Sequence, residues 1–172
     1  MKTFDQILAE MQIDAMYGKN KHFNAANRKE KLYYRIKIPL IILSILAGGS
    51  FFFPILKGSS FAAYLPSIIT SGISIIGNIL AFLKLPEEIK GHRNVANRYL
   101  DTMKKCNRLR SYLFEDAIVK DQIDRRIEDI AIEISQINKD AEAYSTNDDD
   151  FKKAKINVDE GNETYTELEK KL

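Results

Sequence analysis

Four polar side chains, Ser67, Ser71, Ser74 and Asn78, recur at spacings of four, three and four inside a stretch, Phe61 to Leu83, that carries no charge. On a helix that spacing stacks them on one face. Thr70, Gly77 and Ala81 widen the face, and the apolar residues Ile68, Ile69, Ile73, Ile75, Ile76, Ile79 and Leu80 form the side expected to meet lipid. Such a stripe offers hydrogen bonds and hydration. Two uses fit. Small residues let helices approach closely, with Ser or Asn hydrogen bonds between them contributing well under about 1 kcal/mol each. Alternatively, several copies turn the stripe toward a shared wet lumen. Ser44 and Gly48, four apart in an earlier apolar stretch, offer a matching small-residue face.

Other reactive residue types form no constellation. His22 and His92 lie far apart and neither belongs to a metal-binding helix pattern. Cys106 is the only cysteine, which excludes an intramolecular disulfide framework and fits a small core residue. Gly18-Lys19 lacks the upstream glycine and the following Ser or Thr of a phosphate-binding loop, and Asn147 to Asp150 lacks the glycine and closing glutamate of a calcium loop. No catalytic residue, cofactor or metal is therefore expected, and the chain reads as a non-enzyme. Lys90, Arg93 and Arg98 head a basic set suited to anionic lipid headgroups or phosphates. Arg98, Asp101 and Lys105, three and four apart, are spaced for surface ion pairs. Nucleic acid is not an expected partner.

The elements that must position these residues follow from the charge pattern. Among 172 residues with mean hydropathy -0.28, the segment 38–83 carries one charge, Lys57. Residues 1–37 sum to +4, residues 84–114 to +5 and residues 115–172 to -8. Ile38 to Leu56 has the length of one membrane crossing, about 28 Å as a helix, and Phe61 to Leu83 has that of a second. Lys57-Gly58-Ser59-Ser60 is short enough to turn the chain back. Basic residues flank both spans on the side of the termini, so the positive-inside rule places both termini in the cytoplasm. The first 37 residues are too charged for a signal peptide. A buried hairpin within a soluble helical protein is the competing reading, but the polar remainder could hardly wrap two such helices on every side.

The expected fold class is all-α: a two-span transmembrane hairpin with long cytoplasmic helices forming a helical bundle or coiled coil. An N-terminal helical segment, 1–37, is read as interrupted at Gly18-Lys19-Asn20, with Phe4, Ile7, Leu8, Met11 and Ala15 on its apolar face. The transmembrane hairpin covers 38–83, a cytoplasmic helical hairpin 84–144, and an acidic tail with a short helix, Phe151 to Ile156, covers 145–172. Leu85-Pro86-Glu87-Glu88 resembles a helix start, and Val95, Tyr99, Cys106, Leu109 and Leu113 share one face of the helix that follows. Ile123, Ile127, Ile130, Ile134 and Ile137 alternate at four and three, a heptad seam. It can pack back on the preceding helix or form a coiled coil between protomers.

In combination, four segments resemble the SLATT family, two-span effectors associated with nucleotide-signalling immune systems of bacteria. They are the basic helix KHFNAANRKEKLYYRIK, the hairpin, the helix EEIKGHRNVANRYLDTMKKCNRLRSYL and the closing stretch NDDDFKKAKINVDEGNETYTELE. The resemblance covers Lys21 to Leu172. It implies a membrane effector that forms or opens a pore when an upstream nucleotide-second-messenger synthase or sensor detects infection, with the lipid bilayer and further copies of itself as partners. The bacterial inner membrane is the implied location. It carries over no catalytic residues. A membrane-anchored scaffold whose helical tail recruits a partner is the alternative.

Overall fold

A computed structural model describes residues 2–48, 64–115 and 118–160. The end of the first expected span, the 57–60 linker, the start of the second span and the last part of the acidic tail lie outside the described residues. Every regular element among the described residues is helical: α1 (Phe4–Gly48), α2 (Leu65–Phe82), α3 (Leu85–Phe114), α4 (Lys120–Ala141) and α5 (Asp148–Asp159). The chain divides into two compact units, one of residues 1–27 with 90–172 and one of residues 28–89.

The first unit is built on heptad spacing. Leu8 of α1, Cys106 and Leu109 of α3, and Ile123, Ile127 and Ile130 of α4 form one buried cluster. Ala15, Val95, Tyr99, Met103 and Ile137 form a second. Polar contacts give the register: Asp5 and Gln12 meet Arg110, while His22 meets His92, so α1 and α3 run antiparallel. Lys105 pairs with Glu133 and Tyr99 with Asn138, so α3 and α4 are antiparallel too. α5 is started by a capping box in which the Asn147 side chain accepts from the Asp150 N–H and Asp150 accepts from the Asn147 N–H. It begins earlier and runs longer than its apolar residues alone suggest.

The expected break at Gly18-Lys19-Asn20 does not occur, and α1 is continuous for 45 residues. Gly18 lies inside the helix because the Tyr99 ring occupies the space its side chain would fill: a Cβ there would stand 2.8 Å from ring carbons. Lys19 and Asn20 are buried rather than exposed in a loop. α1 also continues through Pro39, which deprives the Arg35 carbonyl of its helical donor.

In the second unit, α2 starts with proline in its first turn and ends at Leu83. Lys84, at φ 45°, adopts the left-handed conformation that separates α2 from α3. The acids Glu87 and Glu88 open α3, and Glu88 is bound by the Lys29 ammonium of α1 at 2.6 Å. From Ser67 onward, one helical stretch among the described residues is long and apolar enough to cross a membrane, and 6% of its apolar window is buried.

Candidate functional site

On α2 the residues Ser67, Ser71, Ser74 and Asn78 share one exposed face. Ile69, Ile73, Ile76 and Leu80, on the opposite side, are half-buried. On α1 the same half-burial falls on Tyr33, Ile36, Leu40 and Leu43, spaced three and four apart. Of the isoleucine side expected to meet lipid, Ile68, Ile75 and Ile79 are exposed. The apolar ridge of α2 is thus its more covered side and the polar stripe its more exposed one. At Gly72 and Gly77, on its flanks, no described atom beyond the helix's own backbone and the adjoining residues lies within 4 Å of the place a Cβ would take.

The stripe is partly satisfied by its own helix. The Ser74 hydroxyl donates to the Thr70 carbonyl at 2.9 Å, and Ser44 of α1 donates to Leu40 at 2.7 Å. Such back-bonding removes the donor's demand for a partner but leaves oxygen lone pairs available. Asn78 carries the largest remaining capacity, two donors and one carbonyl acceptor.

In the other unit, Ile123, Ile127, Ile130 and Ile137 are buried within the chain, and the half-buried Ile134 packs against the cluster that holds the first three. Of the basic residues Lys90, Arg93 and Arg98, the first two are exposed, whereas Arg98 is half-buried and paired with Asp140. Hydrogen bonds from Arg98 and Gln136 hold the Asp140 carboxyl below the usual carboxylate range. The three cations do not converge: Arg93 and Arg98, five apart, lie well round the helix from each other. A shallow cavity of about 290 Å³ between α3 and α4 is lined instead by Lys105, Arg108, Tyr112, Arg126 and Glu133, among others. Cys106 is fully buried, and burial pushes its thiol up to about 11, away from nucleophilic use.

The side chains that sequence reasoning missed are the two histidines. His22 of α1 and His92 of α3 are buried with their Nδ1 atoms 3.0 Å apart. The Tyr99 ring lies 6.1 Å from His22 and the Tyr144 ring 5.8 Å from His92. Tyr144 packs over Gly91, where a Cβ would fall 1.9 Å from the ring. Lys19, Asn20 and Asp150 are also buried, and Asn24 donates to the Asp150 carbonyl at 3.1 Å, tying α5 to α1. A signal for the pair existed: His22 follows Leu8 and Ala15 at intervals of seven, and His92 precedes Tyr99, Cys106 and Leu113 at the same interval. Among the described residues no group of three or more His, Cys, Asp or Glu side chains could hold a metal ion.

No curated protein and no solved structure matches the chain. The profile of the SMODS and SLOG-associating 2TM effector domain family 4 matches residues 4–169, which takes in all five helices. A chain with an apolar helix of membrane-crossing length, matched over nearly its whole extent by that profile, belongs to the SLATT effector family, as its family 4.

Proposed function

We propose that this protein is a two-span membrane effector of a bacterial defence system, and that copies of it assemble in the membrane and permeabilise it when an upstream nucleotide-signalling sensor is triggered. The outward polar stripe of α2 is the observation that supports this reading. Hydroxyls and an amide facing acyl chains are costly, so Ser67, Ser71, Ser74 and Asn78 favour a state in which other copies, or water, cover them. The small neighbours Gly72 and Gly77 leave room for a close approach.

Topology supports it as well. Residues 1–27 and 90–160 pack together, so the chain must return to the side of the membrane it left. An even number of crossings satisfies this, and the flanking Lys and Arg favour the cytoplasmic side of a bacterial inner membrane for both termini. The stripe holds no charged group, so the path would discriminate weakly among ions. Lys90, Arg93 and the neighbouring cations are suited to anionic headgroups, and the Ile123 to Ile137 seam would transmit the trigger by repacking. No residue is assigned a catalytic role.

The test is ion leak from vesicles containing the purified chain, clustered through its C-terminal tail. Wild type is expected to leak and the Ser74→Leu, Asn78→Leu double variant to insert without leaking. Undiminished leak in the variant rejects the stripe as the path. Absence of leak from clustered wild type favours the anchored scaffold, for which the Ser74 to Thr70 bond, satisfied within one helix, already speaks.

A further inference from the structure

Lys105, Arg108, Leu109 and Tyr112 on α3, and Arg126, Asp129, Ile130 and Glu133 on α4, follow the same spacing of three, one and three, which puts each set on a single helix face. The two faces meet as the walls of the cavity of about 290 Å³. Its register follows from one ion pair. The Lys105 ammonium donates to both carboxylate oxygens of Glu133, at 2.9 and 2.7 Å, and closes one end. Counted from that pair along the antiparallel helices, Arg108 comes level with Ile130, and Tyr112 with Arg126. Leu109 and Ile130 are buried and make an apolar floor, while the Tyr112 ring, 38% exposed, stands in the wall.

The charges around this floor do not cancel. Lys105 and Glu133 neutralise each other, whereas Arg108 and Arg126 engage no carboxylate among the described residues. Asp129, one turn from Arg126 on α4, accepts from neither guanidinium. Two arginine forks on two helices offer more donors than one carboxylate can take, since a single fork already occupies both of its oxygens. A phosphate monoester presents three terminal oxygens and, with a second pKa of about 6, is largely dianionic at neutral pH. It can serve both forks at once. The group it carries would lie over Leu109, Ile130 and the Tyr112 ring, in a space at the small end of ligand sites, which begin at about 300 Å³.

We propose that the α3–α4 cavity binds a small, soluble phosphate monoester carrying a flat or apolar group, with Arg108 and Arg126 clamping the phosphate and Tyr112 covering what it carries. A soluble ester is favoured over a lipid headgroup because Arg108 stands nineteen residues, about 28 Å along α3, beyond Ile89, where the unit holding the apolar segments ends. The site belongs to one unit and stands whether or not the spans conduct.

The test is calorimetric titration of the full chain, in uncharged detergent micelles at pH 7.5, with phenyl phosphate and with inorganic phosphate. Both should bind saturably, phenyl phosphate about tenfold more tightly for the area its ring covers. Arg108→Gln and Arg126→Gln, at exposed positions that leave the fold intact, should each weaken both ligands about tenfold, the loss of one charged hydrogen bond. Tyr112→Ala should weaken phenyl phosphate about threefold and leave inorganic phosphate unchanged. Arg125→Gln removes the same charge from an exposed neighbour outside the cavity and should alter neither. Absence of saturable binding, or equal losses in Arg125→Gln and Arg126→Gln, would overturn the site. Displacement of phenyl phosphate by phosphatidic acid, the same headgroup on a lipid, would overturn the assignment to a soluble ester.

Discussion

Gly91→Ala places a methyl group where the structure has the Tyr144 ring, 1.9 Å from one ring carbon and 2.2 Å from another. The ring must leave. Tyrosine buries about 150–250 Å² when enclosed, so displacing the half-buried Tyr144 uncovers about 100 Å². At about 25 cal/mol per Å² this costs about 2.5 kcal/mol. Alanine in place of glycine within a helix returns about 1 kcal/mol, which leaves a net loss of about 1.5 kcal/mol. Amide exchange monitored by mass spectrometry across α3 and the last turns of α4 should therefore accelerate about tenfold. The decisive arm is the background Tyr144→Ala, where no ring obstructs the methyl and Gly91→Ala should stabilise by about 1 kcal/mol. Destabilisation of equal size in both backgrounds would refute the reasoning, because the obstruction would then not be Tyr144.

Three further outcomes follow from the same geometry. Cys106, buried and with its thiol pushed up to about 11, should resist maleimide at pH 7.5 until the unit opens; labelling at the rate of a free thiol would contradict its placement. Ile137→Ala should cost about 3 kcal/mol and Ile132→Ala, 60% exposed on the same helix, under about 0.5 kcal/mol. Equal costs in thermal unfolding would mean that the seam is not buried within one chain. Asp140, held below its ordinary range by Arg98 and Gln136, stabilises the folded chain above the unfolded carboxylate value of about 4 and loses that contribution as pH falls through the lower native value. Wild type and Asp140→Asn should accordingly differ in melting temperature at pH 7 and draw together as pH falls below the unfolded carboxylate value of about 4.

The all-helical character was legible because the signals are periodic and local. Ile123, Ile127, Ile130 and Ile137 alternate at four and three, and they are buried at those positions. Glu87 and Glu88 marked the start of α3, and Asn147 with the acids after it marked α5. Gly18-Lys19-Asn20 misled because a glycine beside two polar residues is the composition of a turn. Its actual reason is tertiary: Tyr99, distant in sequence, needs the space. The same holds for His22 and His92, whose value lies wholly in their meeting across two helices, and for Asp150, whose cap was readable while its burial was not. On α2 the polar stripe was visible from spacing. Which face would turn outward was not, because that depends on which ridge interlocks better with a partner helix.

Assembled copies are expected to open a path along the α2 stripe. Cellular membrane potential, followed with a voltage-sensitive dye while the C-terminal tail is clustered by an inducible dimeriser, tests this most directly. Rapid depolarisation is predicted for the wild type, and none for Ser74→Leu with Asn78→Leu at equal membrane insertion. An unchanged potential in inserted, clustered wild type, or equal depolarisation in the double variant, would contradict it.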